Sequence, residues 1–164
     1  MGELKEIVRR YTPQVIAVTE TWGNMNIEDK IFELEKYSMY RTDRIGGGPG
    51  GTIIYVTNDL GQRECKALNR PGNGVPFDSS TWCWVTPTNG KKVLIGCIYR
   101  SPSSLTVNND KLLKLINQAN DIAGGSRLLI LGDFNVPYID WENRFPEPRA
   151  RKVEKDFCKQ LPIT

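Results

Sequence analysis

The stretch Leu128-Leu129-Ile130-Leu131-Gly132-Asp133-Phe134-Asn135 decides the fold. Four consecutive aliphatic residues, bounded by Gly124-Gly125 before and Gly132 after, are too short for a helix and read as a buried strand. Gly132 permits a tight departure from that strand. Asp133 and Asn135 then stand where the strand stops. Buried strands of α/β folds bring their ends to a common rim, where ligands collect. On an extended backbone, residues two apart face the same way, with Phe134 turned oppositely towards the core. A carboxylate beside a neutral amide suits hydrolytic work. One takes a proton or polarises a water, and the other orients that water or holds a phosphate oxygen without repelling it. Asp and Asn also favour turns, so a purely structural reading stands beside the chemical one.

The same construction occurs once more, upstream. Val15-Ile16-Ala17-Val18 reads as a buried strand that ends in Thr19-Glu20-Thr21-Trp22. Glu20 offers hard oxygens of the type that suit Mg²⁺; a lone acid at a strand end is also commonly just solvated. Trp22 either packs at the rim or stacks on a base. Residues 37–44 and 52–57 read as strands joined by the glycine-rich run 46–51. No Gly-Lys-Ser/Thr follows that run, which excludes a phosphate-cradling loop and leaves a hairpin. Strands at 81–85 and 92–99 flank Asn89-Gly90, a second hairpin signal. An amphipathic helix is expected from Asn109, its candidate cap, to Ala123, with Leu112, Leu115, Ile116, Ala119 and Ile122 on one face. Shorter helices are expected up to Tyr11 and over 149–159, the latter with Val153 and Phe157 inward. The order predicts one α/β domain, a sandwich of sheets with helices packed outside.

Composition narrows the classes. The net charge of +3, from 22 Lys and Arg against 19 Asp and Glu, is too weak to imply nucleic acid alone. Basic residues do gather from Arg144 onward, as a solvated helix face or a surface for an anionic partner. The four cysteines form no C-x-x-C pair, and with no histidine in the chain a Cys/His zinc site is excluded. Cys83 and Cys97 lie in apolar runs and read as buried free thiols. The N-terminal residues lack a signal-peptide core, and no run is long enough to cross a membrane. These features predict an intracellular setting, nucleus or cytoplasm.

Five segments, Pro13–Trp22, Tyr37–Val56, Ser80–Val85, Lys92–Pro102 and Leu128–Trp141, carry a resemblance. "TETW", "IYRSP" and "GDFN" in that order resemble the endonuclease/exonuclease/phosphatase superfamily, and more narrowly the endonuclease domains of non-LTR retrotransposons. The resemblance covers nearly the whole chain. It implies a DNase I-like four-layered α/β sandwich, two mixed sheets with outer helices, that hydrolyses phosphodiester bonds with Mg²⁺ or Mn²⁺. Glu20 matches the family's metal-binding glutamate. Asp133 matches the aspartate that activates or positions the water, and Asn135 the asparagine that steadies the phosphate or metal shell. Tyr99 matches a tyrosine near the phosphate, or is a packed strand-end aromatic. Arg100 and Arg44 are candidates for the nucleic-acid backbone, or surface arginines. The expected partner is the DNA phosphate backbone.

The departures from the pattern are as specific as the matches. Family members open with a strand bearing an asparagine at the metal site and close with Ser-Asp-His or a relative. This chain contains neither, and no histidine at all. The reading is therefore one domain, residues 1–164, truncated at both ends. It predicts exposed sheet edges open to self-association and reduced or absent catalysis. A DNA-nicking endonuclease with weakened activity is one outcome; a catalytically dead nucleic-acid or protein binding module is the other.

Overall fold

The computed structural model describes residues 1–44, 48–69, 77, 79–88 and 90–160. Gly46 and Gly47 of the glycine-rich run, Asn89 of the Asn-Gly turn and residues 161–164 lie outside them. The chain opens with helix α1 (Gly2–Tyr11) and strand β1 (Val15–Thr19), then a 3-10 turn at Asp29–Ile31. Strands β2 (Tyr37–Thr42), β3 (Thr52–Thr57) and β4 (Gly61–Glu64) follow, and then a single-turn helix α2 (Lys66–Asn69). Strands β5 (Ser80–Thr86) and β6 (Val93–Tyr99) lead into the long helix α3 (Thr106–Ala123). Strand β7 (Arg127–Asp133), a small pair β8 (Ile139–Asp140) and β9 (Phe145–Pro146), and helix α4 (Lys152–Gln160) complete it.

Two sheets stack face to face. One has the order β1-β3-β2 and is antiparallel throughout; the other, β4-β5-β6-β7, is mixed, with β6 and β7 parallel. Period-2 alternation decides which side chain enters which layer. On β3, Ile54 and Val56 point between the sheets, whereas Ile53 and Tyr55 face Leu4 and Val8 of α1. On β5 and β6, Cys83, Val85, Ile95 and Cys97 meet that inter-sheet core, while Trp82, Leu94 and Ile98 pack against Leu112, Leu115 and Ile116 of α3. Helix, sheet, sheet, helix: this is the four-layered sandwich. Strands covered on both faces need apolar residues at every position, which is why β3, β5 and β6 read as continuous runs. Gly96 is required within one of these runs. A Cβ there would fall on the Trp82 ring.

Polar ties also cross between the sheets. The Thr52 and Thr81 hydroxyls lie 2.7 Å apart in full burial, and the Cys97 thiol donates to the Val18 carbonyl at 3.5 Å. Cys65, Cys83, Cys97 and Cys158 are free thiols, and Cys83 and Cys97 are buried as their apolar runs implied. Burial pushes Cys83 and Cys97 up to about 12, so both stay protonated and inert.

The expectation of full burial fails at β1 and β7. Among the described residues each has a single strand neighbour, so residues of the aliphatic runs are half-exposed, and Leu129 is open to solvent. Helix α3 begins three residues before Asn109, whose side chain caps nothing and is buried. Its inner face contains Leu113 instead of Ile122, which faces outward. Among the described residues no helix is long and apolar enough to cross a membrane.

Candidate active site

The ends of β1, β6 and β7 meet at one rim. β6 and β7 run parallel, and their register sets Tyr99 beside Asp133. β1, from the other sheet, delivers Glu20 one residue past its end. The Tyr99 hydroxyl donates to the Glu20 carboxylate at 2.5 Å. That bond joins the two sheets at the site. Tyr99 is pushed up to about 12, first by this bond, then by its burial and by the negative charges of Glu20 and Asp133; the positive charge of Arg44 works against them. The phenol therefore stays protonated at neutral pH and acts as a donor. Glu20, Asp133 and Arg44 thus all lie within electrostatic reach of Tyr99.

Backbone conformation at the rim is unusual. Glu20, Trp22 and Asn135 have φ of 54°, 54° and 48°, in the left-handed region. Such conformations cost energy for residues with side chains and persist only where the surroundings hold them. Backbone N–H groups of Thr21 and Trp22 donate to the carbonyls of Gly51 and Gly50, at 3.4 and 3.1 Å. The described end of the glycine-rich run therefore holds the Glu20 turn. Trp22 itself is largely exposed.

On the other side, Asp133 ends β7, and Asn135 does not continue an extended backbone. The Asn135 N–H instead donates to the Asp133 carboxylate at 3.1 Å. The two residues form a turn and also face the cleft, so the two sequence readings are compatible. At Gly132, φ is 133° and a Cβ would collide with the Ile98 carbonyl oxygen. Only glycine lets β7 approach β6 there and then turn away.

Arg100 corrects its sequence reading. Its side chain is 1% exposed and its donors face inward, so it does not reach a nucleic-acid backbone. The guanidinium donates to the Asn109 side-chain oxygen at 2.8 Å and to the carbonyls of Phe134 and Asn135 at 3.2 and 2.8 Å. In return, the Asn135 side-chain amide donates to the Arg100 carbonyl at 2.8 Å, and the Arg100 N–H to the Asp133 carbonyl at 2.8 Å. Burial draws the Arg100 pKa below its ordinary value. Arg44 lines the cleft on the Tyr99 side, and its guanidinium donates to the Pro49 carbonyl.

Two clefts flank this rim. One of about 610 Å³ opens beside Asp133 and Asn135, with Pro102, Pro137, Trp141 and Arg151 in its walls. A smaller one of about 310 Å³ lies on the Tyr99 side, lined by Arg44, Ser101, Ser103 and Lys111 among others. Sequence reading missed Asn109 as an anchor, Trp141 as a cleft wall, and the pairing of Arg151 with the fully buried Glu154. The last had a legible signal, an Arg and a Glu three apart at a helix start.

A model of the endonuclease/exonuclease/phosphatase family matches residues 1–155. The chain belongs to this family. Similar solved structures share its fold at low identity. The endonuclease domain of TRAS1, a telomere-specific non-LTR retrotransposon, superposes with a TM-score of 0.68 at 14% identity, over 98% of this chain and 62% of that one. The 3′ phosphatase NExo from Neisseria, bound to a product DNA hairpin, gives 0.60 at 13%, over 98% of this chain and 64% of that one. Truncated TDP2 from Caenorhabditis elegans gives 0.53 at 16%, over 90% and 58%. The chain thus spans less than two thirds of the length of each. A search of curated proteins finds no match.

The donor set bears on a metal. Glu20 and Asp133 offer hard carboxylate oxygens, and among the described residues no group of three or more His, Cys, Asp or Glu could cage an ion. One or two carboxylates, completed by water and substrate phosphate, is how Mg²⁺ is commonly held; Zn²⁺ cages are built from more protein ligands. The residues therefore fit Mg²⁺ or Mn²⁺.

The geometry predicts how Tyr99 titrates. Glu20→Gln removes the charge that holds the phenol protonated. Tyr99, assigned by difference against Tyr99→Phe in ultraviolet pH titration, should fall from about 12 towards the ordinary 10.0. An unchanged titration in Glu20→Gln would separate the two residues.

Proposed function

We propose that the chain is the Mg²⁺-dependent, DNA-nicking endonuclease unit of a retrotransposon protein. The observation that carries this reading is the convergence of Glu20, Tyr99, Asp133 and Asn135 at one rim, drawn from the ends of strands in both sheets. The likeness to the TRAS1 endonuclease domain supports the retrotransposon branch. NExo, bound to a DNA hairpin, supports DNA as the partner.

In this reading Glu20 and Asp133 would hold the metal, which would neutralise phosphate oxygens and stabilise the leaving alkoxide. Asp133 also positions the attacking water and takes up its proton. Asn135, one amide hydrogen committed to Arg100, presents a neutral face that does not repel the phosphate. Tyr99, held protonated, fixes the Glu20 carboxylate and keeps its orientation constant as the substrate arrives. Arg44 places positive charge beside the same rim.

A second reading is a nucleic-acid binding module without turnover. Nicking of supercoiled plasmid, with Mg²⁺ and with EDTA, separates the two. Metal-dependent nicking, lowered at least about tenfold in both Asp133→Ala and Glu20→Ala, is expected. A folded wild type that binds DNA with steep salt dependence and never nicks it would establish the binding module. The edges of β1 and β7 support one further expectation, self-association by strand pairing. Sedimentation velocity should show a concentration-dependent dimer; a monomer at every concentration would contradict it.

A further inference from the structure

Two features of the larger cleft have no part in the hydrolytic steps above. Trp141 is 51% exposed and lines the cleft together with Asp133 and Asn135. Its ring is nonetheless held. Phe157 meets it edge-on, 6.0 Å between centroids at 78°, and Phe134 lies 6.3 Å away at 41°. Those two phenyl rings are themselves 5.1 Å apart. Three rings in mutual contact fix the plane of the indole and leave about half its surface to solvent. The ordering cost of a binding platform has already been met in the fold.

Arg151 lines the same cleft. Its guanidinium sits on the Glu154 carboxylate through contacts of 2.5 and 3.0 Å. Glu154 is fully buried, whereas the Arg151 side chain is 49% exposed. Burial alone would raise the Glu154 carboxyl, but the Arg151 guanidinium and nearby backbone N–H groups together turn the net direction downward. The Arg151 cation also lies against the Tyr138 ring at 5.8 Å, with Arg149 over the same ring at 5.2 Å. A buried carboxylate thus anchors one end of a guanidinium whose other side remains open to the cleft.

We propose that Trp141 and Arg151 form a subsite for one nucleotide of the substrate strand beside the scissile phosphate, the indole stacking on an unpaired base and the guanidinium facing the adjoining phosphate. This inference rests on the nucleic-acid reading of the same site. Every base has a π-face, so such a platform tolerates any sequence. A base inside an intact duplex has both faces covered, so the subsite favours single-stranded or locally opened DNA. A lone phosphomonoester would leave the indole unused; the platform therefore suits a polynucleotide.

The test is equilibrium binding of a fluorescein-labelled thymidine oligonucleotide in EDTA, where nothing is cleaved. Trp141→Leu should weaken binding about tenfold, and Trp141→Phe should stay within about threefold of wild type. The same oligonucleotide carrying 5-iodouracil should photo-crosslink to Trp141 in the wild-type protein, a readout that does not depend on any variant folding. Wild-type affinity in a Trp141→Leu protein of unchanged circular dichroism, or crosslinks confined to other residues, would overturn the subsite and leave the nuclease reading intact. A wild type that binds no oligonucleotide, with Mg²⁺ or without, would overturn the nucleic-acid reading and the subsite with it.

Discussion

The guanidinium of Arg100 lies at the junction of β6, β7 and α3, and its hydrogen bonds set the shape of the Asp133–Asn135 turn. It accepts burial because Asn109 and two backbone carbonyls satisfy it, and it returns the favour by leaving those carbonyls paired. Removing one partner of such a set leaves buried polar atoms unsatisfied, which commonly costs about 1–3 kcal/mol for each. The turn would then be free to relax. Asp133 is exposed and Glu20 is exposed; neither is held by packing of its own. Their mutual placement is inherited from the buried groups beneath them, Arg100 on one side and Tyr99 on the other.

This division of labour explains the layout of the domain. Continuous apolar runs on β3, β5 and β6 fix two stacked sheets between outer helices. Stacking brings strand ends from different sheets to the same height. The candidate site residues then lie at those ends or within two residues past them, Tyr99 and Asp133 as the last of their strands and Glu20 and Asn135 just beyond. Left-handed conformations at Glu20 and Asn135 are the local consequence of that departure. Glycine at 132 removes the one steric obstacle to it.

Much of this was legible in the sequence. Short aliphatic runs, the glycine stops and the Asn-Gly turn located the strands, and the abrupt change to polar residues marked Glu20 and Asp133. Burial of β1 and β7 was overestimated because a run of Val, Ile and Leu reports strand character and not the number of strand neighbours. Asn109 misled because a helix cap and a buried anchor use the same residue type, and only the tertiary partner separates them. Arg100 misled for a similar reason: an arginine after a strand reads as surface charge until the carbonyls around it are known. Trp141 was read as part of a motif, and its exposure depends on Phe157, sixteen positions further along a helix whose packing the local sequence does not specify.

The central claim is that Glu20 from one sheet and Asp133 from the other form a single metal site. Titration of nitrogen-labelled protein with Mn²⁺, read as paramagnetic broadening of backbone amides, tests it without requiring turnover. The account predicts that amides of Thr19–Trp22 and Gly132–Asn135 broaden together at the lowest Mn²⁺ concentrations, competed by Mg²⁺ and lost in Asp133→Ala. Broadening that begins instead at unrelated acids, such as Asp110 and Asp156 on α3 and α4, would contradict it.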